Sequence, residues 1–157
     1  MPMTVANILV TPTTDSRALT DLQHVFDRHF RHYSASDLPA LADVLTTHCD
    51  LPVIKGLLAA LLNDPAQLDD IASRSYWHGN GFLKIVLLDQ GYKLRLHIWF
   101  AGTACEENIH SHRWGFASHV LVGTLKSELW QEVHTPSVSD TIMMDEYCYT
   151  AKQLDTP

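Results

Sequence analysis

The apolar residues of this 157-residue chain change their spacing once, near residue 75, and no other feature of the sequence constrains the fold as strongly. Before that point, apolar side chains recur every three or four residues, as on one face of an α-helix. After it they alternate with polar side chains, as in β-strands with one buried face. We therefore expect a single domain over 1–157, with a helical segment over about 15–75 and a β region over about 76–157.

Four stretches before residue 75 predict helices: SRALTDLQHVFDRHFRHY, SASDLPALADVLTTHC, VIKGLLAALL and PAQLDDIASR. Ser36 is placed to cap the second helix, because a serine side chain can accept a hydrogen bond from a free N–H of the first turn. Pro65 is expected to end the third helix. His29 and His32 can share one helix face, and we expect that face to be solvated.

Strand-like alternation follows in FLKIVLLD and YKLRLHIWF, which a Gln-Gly tight turn joins. FASHVLV and TLKSELWQEV, separated by Gly123, predict a second hairpin, and TIMMDEYCYTA is a weaker strand candidate. This pattern predicts a mainly β protein: an antiparallel jelly-roll barrel, complete or incomplete, with an N-terminal helical segment.

Composition excludes several classes of function. A net charge of −7 without a basic run makes nucleic acid an unsuitable partner, because phosphate binding requires a basic face. The three cysteines form no CxxC pair, which favours a reducing compartment, and we expect a cytoplasmic protein. Neither a signal peptide nor an apolar run of about 20 residues is present, so no membrane association is expected.

His110 and His112, in the segment ENIHSHRWGFASHVLVG, predict a metal site. In an extended strand, residues i and i+2 point to the same side, about 6.5–7 Å apart. Both imidazoles can then face one ion, and neutral imidazole binds iron, zinc, nickel or copper. An HxH pair alone is a weak signal, since histidines in exposed loops are common.

The residues around this pair resemble the first metal motif of the cupin superfamily, in which a glycine, a short loop, HxH, an acidic residue and a second glycine follow in order. The matching residues here are Gly102, TACEENI, His110, His112, Phe116 and Gly123. The loop is two residues longer than usual, and Phe116 stands in place of the acidic ligand.

Within the cupins, the order of GFLKIVLLDQGYKLRLHIWFAG, IHSH and VLVGTLKSELW is similar to the cysteine dioxygenase-like thiol dioxygenases. The resemblance implies a cupin-type barrel and a mononuclear Fe(II) site on three neutral histidines, with Ni, Zn or Mn as alternative metals. It also implies oxygenation of a small molecule, such as a thiol or an amino-acid derivative. The family's crosslinking cysteine has no counterpart at Phe116 or Ala117.

The family's third histidine falls beyond Pro157, so the third ligand is expected from His134, His119, His97 or beyond the chain end. His134 is the best placed of these, because the Gly123 turn returns the next strand to the metal side. Strand alternation turns His119 outward. A nearby carboxylate, Glu106 or Glu107, is a further alternative.

His97, Arg95 and Trp114 are the expected catalytic or substrate-binding residues. His97 and Arg95 share one face of YKLRLHIWF, which lines either a polar pocket or a solvated surface. Arg95 and Lys84 can pair with a substrate carboxylate or form surface salt bridges. Trp114, two residues after His112, can stack on a ligand or cover the end of the barrel.

With the histidine pair, the resemblance to the thiol dioxygenases implies a metal-dependent oxygenase acting on a small-molecule substrate and dioxygen. The alternative is a non-catalytic ligand-binding or dimerisation module with a vestigial metal site, and an isomerase or lyase is a third possibility. A homodimer is expected in the first two cases, because an incomplete barrel exposes strand edges that need to be covered.

Overall fold

The computed structural model of the chain describes residues 18–34, 36–102, 109–112 and 114–131. Its elements, in chain order, are α1 (Ala18–His32), α2 (Leu38–His48), α3 (Leu51–Leu61), α4 (Pro65–Ser73), β1 (Tyr76–His78), β2 (Phe82–Asp89) and β3 (Lys93–Trp99). The chain divides into two units, residues 1–126 and 127–157, and all seven of these elements belong to the first. The single-domain expectation stays a prediction.

The prediction of a mainly β barrel is wrong. Of the described residues, 43% are helical and 17% lie in strands, and the strands form one three-stranded antiparallel sheet in the order β1-β2-β3. No strand is present in residues 114–131, where a second hairpin was expected, although Gly123 has the positive φ of +82° typical of a turn. Most side chains of this stretch are exposed, so its alternation has no buried face to stabilise a strand. TIMMDEYCYTA lies outside the described residues.

Three of the helices begin in the same way, with an aspartate as N-cap and a proline one or two residues later. The carboxylate of each aspartate accepts a hydrogen bond from the backbone N–H three residues on, at 3.3 Å for Asp37, 2.9 Å for Asp50 and 3.1 Å for Asp64. Ser36 is therefore not the cap of α2. Pro65 begins α4 rather than ending α3, because a proline is well tolerated where helical N–H groups have no partner.

The apolar face of α1 contributes Leu22 and Phe26 to the core. There they belong to one cluster with residues of α3, α4 and one face of the sheet. Leu87 of β2 is the most buried residue of this core, at 1% exposure. Burial of each such side chain stabilises the fold by about 1.5–3 kcal/mol. His29 is also buried, at 6% exposure, between the rings of Phe30 and Tyr33, so the expectation of a solvated histidine is wrong there.

Two polar contacts fix the hairpin of β2 and β3 to the helices. The Tyr92 hydroxyl donates to Asp27 Oδ1 of α1 at 2.7 Å, and its ring stacks on Phe30. Burial, and the hydrogen bond to the negative Asp27, raise the pKa of Tyr92 well above its usual range. From the C-cap of α4, Arg74 donates from Nε and Nη2 to two backbone carbonyls of β2, at 2.8 and 2.9 Å. These carbonyls belong to the irregular pairing between Val86 and Leu88, where β2 and β3 shift register.

Within the described part of the chain, no single helix is long and apolar enough to cross a membrane, and α2 with α3 satisfies that test only as a pair bent by 68°.

Candidate metal-binding site

The two histidines of the HxH pair lie together in the segment that follows β3. The ring centroids of His110 and His112 are 4.8 Å apart, with the ring planes at 74° to each other. Both side chains are exposed. The structure thus brings these two predicted ligands together, although they do not lie in the β-strand that was predicted to contain them.

Phe116 packs on the second of these imidazoles. Its ring centroid is 4.8 Å from that of His112, in an edge-to-face arrangement. The residue that replaces the acidic ligand of the cupin motif therefore covers one side of His112 with an apolar ring.

The other candidates for the third ligand do not join the pair in the part of the chain that is described. Among those residues, no group of three His, Cys, Asp or Glu side chains is arranged to hold a metal. His119 is exposed, and the ring of His97 contacts Phe82 and Trp99 on the sheet. His134, Glu106 and Glu107 lie outside the described residues, so the prediction of His134 stays a prediction.

Two of the three predicted catalytic residues contact each other. The guanidinium carbon of Arg95 lies 5.9 Å from the ring centroid of Trp114, within the range of a cation–π contact. Nε of Arg95 is buried and has no hydrogen-bond partner. Through Trp114, the segment that carries His112 approaches the sheet face that carries Arg95.

Lys84, on the same face, is buried, which was not predicted from the sequence. The Lys84 side chain crosses the rings of Tyr76 and Phe82, with Nζ 5.2 and 5.5 Å from their centroids, and it donates to the Tyr76 hydroxyl at 3.3 Å. The only sequence signal was a lysine flanked by apolar residues in FLKIVLLD. Long lysine stems often cover apolar surface while the charge reaches water, and that pattern does not distinguish a buried lysine from an exposed one.

The predicted surface salt bridges of Lys84 and Arg95 are not formed with any described residue. The ion pairs of the described chain join Arg74 to Asp70 and Lys93 to Asp89. The hydrogen bond from Lys93, with the positive charges of Lys93, Arg74 and Arg95, holds the pKa of the exposed Asp89 below its usual value.

Comparison of the chain with models of protein families, with curated proteins and with solved structures finds no match. The resemblance to thiol dioxygenases therefore rests on the quoted residues alone and stays a prediction.

Proposed function

We propose that the chain binds a first-row transition metal through His110 and His112 and, with Fe(II) bound, oxygenates a small molecule. The observation that carries the proposal is the 4.8 Å separation of the two imidazole centroids. A metal about 2.1 Å from one nitrogen of each ring would hold the centroids roughly 5 Å apart. The separation of the two rings is thus the one that two imidazole ligands of a single ion would have.

The surroundings of the pair support chemistry on a bound small molecule. Two protein ligands leave coordination positions for a third protein ligand, a substrate and dioxygen. Phe116 shields one side of His112 from water, and Trp114 lies two residues along the chain, against Arg95. The expected metal is Fe(II), with Ni, Zn or Mn as alternatives, and the expected third ligand is His134.

A second candidate function is a non-catalytic ligand-binding or dimerisation module that uses the same histidine pair. It is favoured by the exposed apolar side chains that follow the pair in the first unit of the chain, which are Trp114, Phe116, Val120, Val122 and Leu125. Exposed apolar residues in such number are typical of surfaces that a partner covers. A homodimer is the expected assembly for both candidates.

Oxygen consumption distinguishes the two candidates. Protein loaded anaerobically with Fe(II) is mixed with oxygenated buffer and small thiols such as cysteine, and oxygen is followed with an electrode. We expect uptake above the thiol blank, reduced more than about 10-fold in His110→Ala/His112→Ala. The matched control, His24→Ala/His32→Ala, removes two exposed histidines of α1 and should consume oxygen like the parent chain. Iron binding without oxygen uptake would contradict the oxygenase and support the second candidate.

A further inference from the structure

The outer face of the sheet carries two cations that have no carboxylate partner among the described residues, Lys84 and Arg95. Lys84 of β2 is paired with His97 of β3, and Arg95 lies two residues before His97. The Cα atoms of Lys84 and Arg95 are therefore diagonal neighbours on one face of the sheet, about 7–8 Å apart. Asp89 lies on the same hairpin, but its carboxylate is bonded to Lys93 at 2.5 Å.

Neither cation has its hydrogen-bonding capacity filled. Lys84 is only 9% exposed, and its ammonium has three N–H donors, of which one is directed to the Tyr76 hydroxyl. Nε of Arg95 is buried without a partner. Buried donors on charged groups cost free energy unless an acceptor reaches them, and two neighbouring positive charges add repulsion. An oxyanion placed between them would relieve both costs.

Flat aromatic surfaces border the same two cations. Trp99 lies against Phe82, with the ring centroids 4.8 Å apart, and Tyr76 lies beside Lys84; both Trp99 and Tyr76 are exposed. Trp114, also exposed, lies against the Arg95 guanidinium. A ligand held by its charge on this face would have an aromatic ring to stack on.

We infer that this face binds a small oxyanion carried on a flat ring, an aromatic carboxylate or aromatic phosphate. The oxyanion lies between the Lys84 ammonium and the Arg95 guanidinium, and the ring lies against Trp99 or Trp114. Arginine suits either oxyanion because its fork donates two parallel hydrogen bonds, while lysine acts as a point charge. Binding at this site needs no metal, although Arg95 and Trp114 also border the proposed metal site.

The test is a titration of the ¹⁵N-labelled full chain, treated with EDTA, followed by NMR. Benzoate and phenyl phosphate are the probes for the two oxyanions. Cyclohexanecarboxylate keeps the charge without the flat ring, and benzamide keeps the ring without the charge. We expect saturable shifts of the Lys84, Arg95 and Trp99 signals with benzoate or phenyl phosphate, and the tighter of the two identifies the oxyanion. Binding of cyclohexanecarboxylate should be several-fold weaker, and benzamide should cause no saturable shift.

Variants of the two cations complete the test. Lys84→Met and Arg95→Met should each weaken binding at least about 10-fold, since each removes a charge-assisted hydrogen bond. If Lys84→Met fails to fold, Arg95→Met by itself tests the site. Lys55→Met on α3 is the matched control and should leave the affinity unchanged. His110→Ala/His112→Ala should bind the probes like the parent chain, which separates this site from the metal site. The inference is overturned if neither oxyanion binds, if benzamide binds as tightly as benzoate, or if Arg95→Met leaves the affinity unchanged.

Discussion

At the scale of single residues, Cys49 shows how a side chain's surroundings control its chemistry. It follows α2, where its N–H bonds to the Leu45 carbonyl, and its side chain is part of the core. Burial, and the negative charge of the neighbouring Asp50, raise the pKa of the Cys49 thiol from 9.0 to about 11. A thiol in this state is a poor nucleophile at neutral pH, so Cys49 is a structural residue.

The raised pKa of Cys49 predicts a loss of stability in alkali. Above pH 9.0 the unfolded chain releases a proton that the folded chain still holds on the Cys49 thiol. The stability contributed by the protonated thiol is therefore complete below pH 9.0 and is lost as the pH rises to about 11. Urea unfolding midpoints between pH 8 and 11, measured under reducing conditions, should fall more steeply for the parent chain than for Cys49→Ala. The comparison isolates Cys49, because Tyr92 titrates in both chains. Equal slopes would show that the thiol pKa is not raised.

At the scale of the elements, aspartate caps determine where three helices begin. Asp50 caps α3, the helix that contributes Ile54 and Leu57 to the core. The Asp50 carboxylate accepts a hydrogen bond from the Val53 N–H at 2.9 Å, and Asp50→Ala removes this acceptor. We expect the free energy of unfolding in urea to fall by about 1 kcal/mol.

Asp43→Ala is the control for Asp50→Ala, because it removes an exposed carboxylate from the interior of α2. Its effect should stay within about 0.5 kcal/mol. If both variants lose the same stability, the loss of a negative charge explains the effect of Asp50→Ala, and the loss of the helix cap does not.

The elements were predictable where their signals are local. Helical spacing predicted all four helices, and two strand-like runs joined by a Gln-Gly turn predicted the β2–β3 hairpin. The caps were also present in the sequence, as Asp-Leu-Pro before α2 and α3 and Asp-Pro before α4, but Ser36 was taken for the cap of α2. β1 has only three residues, too few to show a period.

At the scale of the whole molecule, the fold could not be predicted from these local patterns. FASHVLV is rich in the apolar and β-branched residues typical of strands, but a strand also needs a neighbouring edge and a buried face, which are non-local. The sheet instead stops at three strands in the described chain, with the helices on one face and Lys84 and Arg95 on the other.

The candidate site was predictable only in part. The contact of His110 with His112 was predicted from their i, i+2 spacing in a strand; the structure shows the contact, but residues 109–112 do not form a strand. The contact of Arg95 with Trp114 joins residues far apart in sequence, and spacing alone indicated only that each could face a ligand. The burial of Lys84 depends on the rings of Tyr76 and Phe82 on two strands, which no single stretch of the sequence reveals.

The metal content of the purified chain tests most directly the claim that His110 and His112 bind a metal. Protein made without a histidine tag is analysed by inductively coupled plasma mass spectrometry, beside His110→Ala/His112→Ala and the control His24→Ala/His32→Ala. We predict close to one first-row transition metal ion per chain in the parent protein and the control, and loss of this metal from His110→Ala/His112→Ala. An equal metal content in all three proteins, or no first-row metal in the parent chain, would contradict the claim.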